Sequence, residues 1–419
     1  MTLFLRSRLS ALFFIQYLAT GSWFVTLGTY MSKSLGFDAI IGTAYGMIGL
    51  ATILSTLFVG MLADRYFAAE KLLAGFMVAG GISLYWLSTI EHSRPLFLAV
   101  MFLHSVCYSC GIPLAVALAF NSMSDPGQQY PSVRIFGSIG FIAAGMMVGL
   151  IPGAGASALP MRLGAMVHMF AAVYCLTLPH TPPKAEPTKL NVLSAFGLDV
   201  VRNVRARDFW ILMTAVLVMV IPKKFYDSFF NNFLVEKSVS FQFGSVRVEP
   251  AAIQTLGQAV EMATMLMLPF LIRHLGIKRV MIIGMFGWIG RFFLFAFGYK
   301  GDVGIVPMIL LGILMHGVSY DFFFISGQIW LDKRFPPDTR GRVQAFYWFV
   351  LSGVGVVLGS NVAGVVYSRY TLSPTNHFWT EIWLAPAIIT FAMFIIFQIY
   401  FKESDPKPAA AQQSAQDGS

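Results

Sequence analysis

Long apolar stretches separated by short polar ones run through the chain from its first turns onward. A helix that spans a bilayer needs about 20 apolar residues. Twelve such stretches can be drawn, at roughly 9–31, 39–63, 71–90, 95–120, 133–152, 160–178, 209–233, 250–272, 279–299, 304–330, 342–367 and 379–401. The longest internal polar segment, about 179–208, opens Pro179-His180-Thr181-Pro182-Pro183-Lys184 and carries Lys189, Arg202, Arg205 and Arg207. The pattern predicts an all-α membrane protein of 12 transmembrane helices in two six-helix bundles, residues 1–178 and 209–402. A cytoplasmic linker over 179–208, with room for a surface helix, joins them, and the Ala/Gln/Ser-rich tail 403–419 is predicted to be disordered. Arg6 and Arg8 precede an apolar run that is longer than a secretory leader's core and lacks a small-residue cleavage site. That run is therefore predicted to be a retained first helix.

Composition narrows the class. Hydrophobic residues make up 57% and charged residues 12%, against about 45–50% and 25% in a soluble domain. The mean hydropathy is +0.69. An ordinary soluble enzyme, a disordered chain and a disulfide-rich module are excluded, and 3 Cys give no disulfide framework. The net charge of +9 would suit a nucleic-acid binder, but its placement argues otherwise. Of the Lys and Arg residues, 18 fall on the side of the two termini, 7 on the opposite side, and Arg134, Lys223, Lys224 and Arg291 lie inside spans. Basic loops mark the cytoplasmic face, so both termini are predicted cytoplasmic, with the protein in a bacterial inner membrane.

Charges in a membrane interior cost about 2.5–3.5 kcal/mol each on insertion scales, which makes them functional candidates. The acidic ones are Asp227, Glu261 and Asp321. Scattered single charges of both signs suit a carrier with a central cavity better than a channel, which would show rings of like charge. Arg134 at the opening of span five shares a helical face with Ser138 and Phe141, at i+4 and i+7. A guanidinium, a hydroxyl and a ring on one stripe can hold a polar, planar ligand. Alternatively Arg134 snorkels to the surface from the helix start. Gln258 and Glu261 lie one turn apart on span eight and offer donors and acceptors for a base edge or ribose. A packing clamp between helices is the competing reading. Asp321, between Tyr320 and a Phe triplet, is the leading proton-carrier candidate, with Glu261 second. A permanent ion pair from Asp321 to Lys223 or Lys224 is the alternative. Lys224 and Asp227, at i,i+3, can pair with each other.

Two motifs are set aside. His104, Cys107 and Cys110 recur at intervals of three, but no fourth ligand is evident and Cys in an apolar helix is ordinary packing. No metal or other cofactor is expected. Gly353, Gly355 and Gly359, like Gly145 and Gly149, permit close helix approach rather than nucleotide binding. No hydrolase triad or ATP-binding loop is evident, so the chain is not read as an enzyme.

The halves look like repeats. Gly60-Met-Leu-Ala-Asp64-Arg65 with Lys71 follows span two, and Arg273-His-Leu-Gly276-Ile-Lys278-Arg279 follows span eight. A Pro131 segment leads to Arg134, as Pro336-Pro337-Asp338-Thr339-Arg340-Gly341-Arg342 leads into span eleven. Two parallel six-span repeats are the architecture of the major facilitator superfamily, and the loop motif resembles that superfamily's signature. Four stretches further resemble the bacterial nucleoside:H+ symporters: Gly21-Ser-Trp23-Phe-Val-Thr-Leu-Gly-Thr-Tyr30, Val133-Arg134-Ile-Phe-Gly-Ser-Ile-Gly-Phe141, Gly276-Ile-Lys-Arg-Val-Met and Tyr320-Asp321-Phe-Phe-Phe-Ile-Ser-Gly327.

The resemblance implies proton-driven uptake of a nucleoside or related ribosyl compound by alternating access, in a monomer, around a midplane site. It implies substrate contacts from Arg134, Ser138, Phe141, Gln258 and Glu261; Tyr320 and Trp23, the latter as a stacking surface, are further candidate contacts. It assigns Gly60, Asp64 and Arg65 to a latch between the halves. The chain departs from the resemblance on spans seven and ten, where Lys224 and Asp227 replace neutral amides and His316 stands where a Tyr is expected. The cavity is thus more polar than a plain nucleoside pocket. An uncoupled facilitator, a carrier of a sugar, organic anion or drug, and a non-transporting sensor are the competing readings.

Overall fold

The computed structural model describes residues 2–183, 192–202, 204–299, 305–373 and 376–402. Helices occupy all twelve expected stretches. Spans one to six are Leu3–Phe24 continued by Leu27–Lys33, Ile41–Arg65, Ala69–Leu87, Arg94–Asn121, Pro126–Gly149 and Leu159–Cys175. Spans seven to nine are Arg207–Glu236, Pro250–Leu275 and Ile277–Phe297. Span ten runs through Ile305–Leu314, His316–Tyr320 and Ser326–Arg334, span eleven joins Pro337–Trp348 to Gly355–Arg369, and span twelve is Trp379–Tyr400. Among the described residues 9 helices cross a bilayer by length and hydropathy alone, and span ten qualifies as a pair bent by 41°. The remaining two have visible reasons for falling short. Ala69–Leu87 opens with Glu70 and Lys71, and Leu159–Cys175 has 17 residues.

Local chemistry explains where the boundaries depart from the apolar pattern. Span five starts at Pro126, where the Asp125 carboxylate accepts from the Gln128 N–H at 3.2 Å. An Asx cap followed by Pro at the first position is a strong helix start. Polar Gln128, Gln129 and Tyr130 hide this turn from a hydropathy scan. Arg134 therefore sits two turns inside the helix, not at its opening. Span eleven likewise begins at Pro337. Span one breaks after Phe24, and the hydroxyl of Tyr45 repairs the break. It donates to the Phe24 carbonyl at 2.6 Å and accepts from the Gly28 N–H at 3.3 Å. Backbone groups freed inside a membrane need such partners. Spans ten and eleven each contain a π-helical stretch, Asp321–Ile325 and Phe349–Val354. Tyr347, two residues before the irregular stretch of span eleven, donates to the Phe324 carbonyl within that of span ten at 2.7 Å.

The bundles meet along two seams of small residues. Gly42, Gly46 and Gly49 of span two face Ser360, Gly364, Asn361 and Gly353 of span eleven. Gly145 and Gly149 of span five face Ala251, Ala252 and Thr255 of span eight. Small residues let membrane helices approach closely, as the sequence implied for Gly145 and Gly149. Gly355 and Gly359 pack instead on Val220 and Ile221 of span seven within one bundle. A Cβ on Gly42 would stand 2.7 Å from Gly364 Cα. Gly42→Val is therefore expected to force this seam apart. Cross-linking of a Thr29→Cys, Asn231→Cys pair is the check, with yield expected to fall at least about threefold; an unchanged yield refutes the prediction.

That end of the molecule, opposite the termini, is also closed by polar contacts between halves. Thr29 donates to Asn231 at 2.7 Å, Lys33 pairs with Glu236 at 3.4 Å, and the Glu249 N–H donates to the Gly149 carbonyl at 2.8 Å. Glu236 also accepts from His377 and Trp379, at 2.5 and 2.7 Å. At the terminal-bearing end the described part of the linker holds two single-turn helices, Val192–Ala195 and Leu198–Val201. Arg342 of span eleven anchors them through Asp199 at 2.9 Å. Glu70 ties the start of span three to the exit of span six, through His180 at 2.7 Å and the Thr181 N–H at 3.0 Å.

Of the latch candidates, Gly60 lies on span two with open space where a Cβ would stand. The side chains of Asp64 and Arg65, the linker residues Lys184 and Lys189, and the tail 403–419 fall outside the described residues. Two short hairpins, Phe241–Phe243 with Val246–Val248 and Thr371–Ser373 with Asn376–His377, escaped the apolar pattern because each strand has three residues or fewer.

Candidate functional site

A cavity of about 290 Å3 lies between the bundles, level with the break in span one. Its wall includes Arg134, Ser138 and Phe141 of span five, Asp227 of span seven, Gln258 and Glu261 of span eight, and His316 and Tyr320 of span ten. The i, i+4, i+7 stripe of span five thus faces one space together with the polar groups of the other bundle. Two of the candidate substrate contacts are absent from this wall. Trp23 is 1% exposed and meets the His104 ring edge-on at 5.0 Å; Phe24, one residue and about 100° further round the helix, takes its place. Lys224 is buried over the Phe24 ring, at 5.7 Å from its centroid, and Lys223 lines the cavity instead.

The span-seven charges form one cluster. Lys223 and Lys224 both donate to Asp227 Oδ2, at 2.5 and 2.9 Å. These pairs are local, at i,i+4 and i,i+3, and they occupy the lysines. The alternative ion pair to Asp321 is thereby overturned. Asp321 is fully buried, accepts from the Thr264 hydroxyl at 2.6 Å through Oδ2, and leaves Oδ1 without a partner among the described residues. It stands one helical step behind the cavity wall formed by Tyr320.

Arg291 is fully buried and is not paired with an acid of span seven or eight. Its guanidinium carbon lies 4.1 Å from the Tyr226 ring centroid, 5.0 Å from that of Trp288 and 5.5 Å from that of Phe295. Cation–π contacts of this kind strengthen when desolvated. Its Nη1 lies 3.0 Å from His316 Nδ1. A guanidinium only donates, so Nδ1 must accept and the imidazole proton sits on Nε2. That Nε2–H points to Glu261 Oε2 at 3.5 Å, and the Gln258 amide nitrogen lies 3.5 Å from the same ring nitrogen. Stacked between Tyr226 and Tyr320, His316 is held as a neutral donor to the cavity.

Several wall residues escaped the sequence reading: Tyr17, Phe24, Tyr108, Tyr226 and Gln254. Gln254 precedes Gln258 by one turn, a spacing that was available as a signal. The tyrosines carried none, since aromatic residues are abundant in every span. Tyr17 underlies Arg134, whose guanidinium carbon is 4.4 Å from the ring centroid.

Two six-helix bundles around a polar central cavity define a carrier of the major facilitator superfamily. Solved transporters share this architecture: PepTSo of the POT family superposes with a TM-score of 0.69 at 13% identity, over 95% of this chain and 99% of that one. The profile of the nucleoside H+ symporter family matches residues 3–406, and the chain belongs to that family. Relatives from Escherichia coli (strain K12) include the transporter YegT, 31% identical over 98% of this chain and 97% of its own. Nucleoside permease NupG from the same strain is 30% identical, covering 95% and 96%. A crystal structure of the nucleoside transporter NupG superposes with a TM-score of 0.84 at 28% identity, over 96% of this chain and all of that one. The family and these relatives are transporters, and the protein is a multi-pass membrane protein.

Proposed function

We propose that this chain imports nucleosides by proton symport, rocking its bundles about the central cavity. The observation that carries the reading is the composition of the cavity wall, where Arg134, Ser138 and Phe141 of one half stand in the same space as Gln258, Glu261 and His316 of the other. Ring faces, amide groups and a carboxylate suit the flat base and the hydroxyl-bearing sugar of a nucleoside. Family membership and the permease relatives support the same substrate class. Buried Asp321 and cavity-lining Glu261 are the groups that move the proton.

The distribution of basic loops supports cytoplasmic termini in a bacterial inner membrane. The contacts that close the far end then seal the periplasmic side, leaving an inward-facing carrier. Residues 1–178 and 209–402 are the moving units and 179–208 their tether, with the monomer as the working unit. Gly60, Asp64 and Arg65 latch the cytoplasmic side in the opposite state.

Uptake of labelled uridine and adenosine into proteoliposomes, with and without an inward proton gradient, tests this reading. One proton falling through 100 mV releases about 2.3 kcal/mol, enough for roughly fiftyfold accumulation. Saturable, gradient-driven accumulation is expected. Uptake that only equilibrates removes the coupling, and no uptake of either nucleoside removes the substrate class.

A further inference from the structure

Charge is unevenly spread over the cavity, and this deepens the nucleoside reading on which it rests. Lys223 and Lys224 share a single carboxylate atom, Asp227 Oδ2. One positive charge is therefore left over on span seven. Arg134 adds another, lying against the Tyr17 ring rather than against an acid. The other wall carboxylate, Glu261, sits on span eight next to His316, which Arg291 keeps neutral. The cavity thus has a cationic side on spans five and seven and an accepting side on span eight.

We propose that the preferred solute is a nucleoside whose base carries a negative charge. The anionic base edge sits between Arg134 and Lys223, and the ribose hydroxyls turn toward Glu261 and Gln258. An excess of cationic over anionic groups inside a membrane protein is costly, and a bound anion completes the set. Guanidinium and ammonium donors to an anionic oxygen or nitrogen make charge-assisted bonds, stronger than neutral ones. Ribose hydroxyls can donate to the carboxylate, which only accepts. A neutral base fills the same space but leaves the excess charge unmatched.

The test is titration calorimetry on the purified, full-length transporter with two ligands of nearly one shape. Xanthosine loses a ring proton near neutrality, whereas inosine stays neutral; both are measured on the alkaline side of xanthosine's ionisation. Xanthosine is expected to bind about tenfold or more tightly. Lys223→Gln should bring the ratio of the two affinities within about threefold, and Lys223→Arg, which keeps the charge, should preserve it. Equal affinities, or a preference for inosine, overturn the proposal while leaving nucleoside transport standing. A xanthosine preference that survives Lys223→Gln overturns the placement of the base. Binding of neither ligand overturns both readings.

Discussion

Asp227→Asn is expected to abolish uptake and to destabilise the protein more than any other single change at the cavity. The Asp227 carboxylate is shared by two ammonium groups, at 2.5 and 2.9 Å, on a helix buried between the bundles. An amide keeps the shape but removes the charge. Two lysines would then stand side by side in a low-dielectric interior with no counter-charge. Breaking a buried pair by removing one partner costs about 3–5 kcal/mol, and here two partners are stranded. The thermal unfolding midpoint of the purified variant should fall well below that of the parent. Adding Lys224→Met to Asp227→Asn should recover part of the loss, because Lys224 is the more buried lysine and a Met can occupy the same apolar surroundings. A single variant that melts with the parent would refute the electrostatic account.

The second large effect falls on coupling. Asp321→Asn should reduce gradient-driven accumulation from the roughly fiftyfold that one proton supports at 100 mV to simple equilibration. Exchange of internal for external nucleoside should persist. The substitution is informative because the contact geometry survives. The Thr264 hydroxyl that donates to Oδ2 at 2.6 Å can donate equally to an amide oxygen. What disappears is the ability to take up and release a proton. Counterflow in preloaded proteoliposomes separates the two outcomes. Continued uphill accumulation by the Asn variant would transfer the proton to Glu261.

Much of this architecture was legible in the sequence, for a physical reason. A membrane demands about twenty apolar residues per pass, and that demand wrote twelve visible stretches into the chain. Polar residues inside those stretches were conspicuous because each carries an energetic cost. Arg134, Asp227, Gln258, Glu261 and His316 were therefore found as candidates, and the structure gathers them around one cavity. Rotational phase was not legible. Trp23 and Phe24 are neighbours in sequence, as are Lys223 and Lys224, yet only Phe24 and Lys223 line the cavity. The start of span five was missed because its cap and first turn are polar. Arg291 could not be assigned from sequence, since the aromatic box that holds it is built by Tyr226 and Trp288 from two different spans.

The π-helical stretches of spans ten and eleven each take up an extra residue without turning the helix beyond them. A π turn holds one residue more than an α turn, and each α-helical residue advances the helix by about 100°. Asp321–Ile325 therefore acts like an inserted letter in span ten. Deleting Phe324 alone would let the wide turn close into an ordinary α turn, and the side chains from Ile325 to Arg334 would keep nearly their present facing. Gly327 would stay against Tyr347, and Trp330 against Phe401. Relatives that differ by one residue at this point therefore share the facing of the whole helix and differ only in the width of one turn.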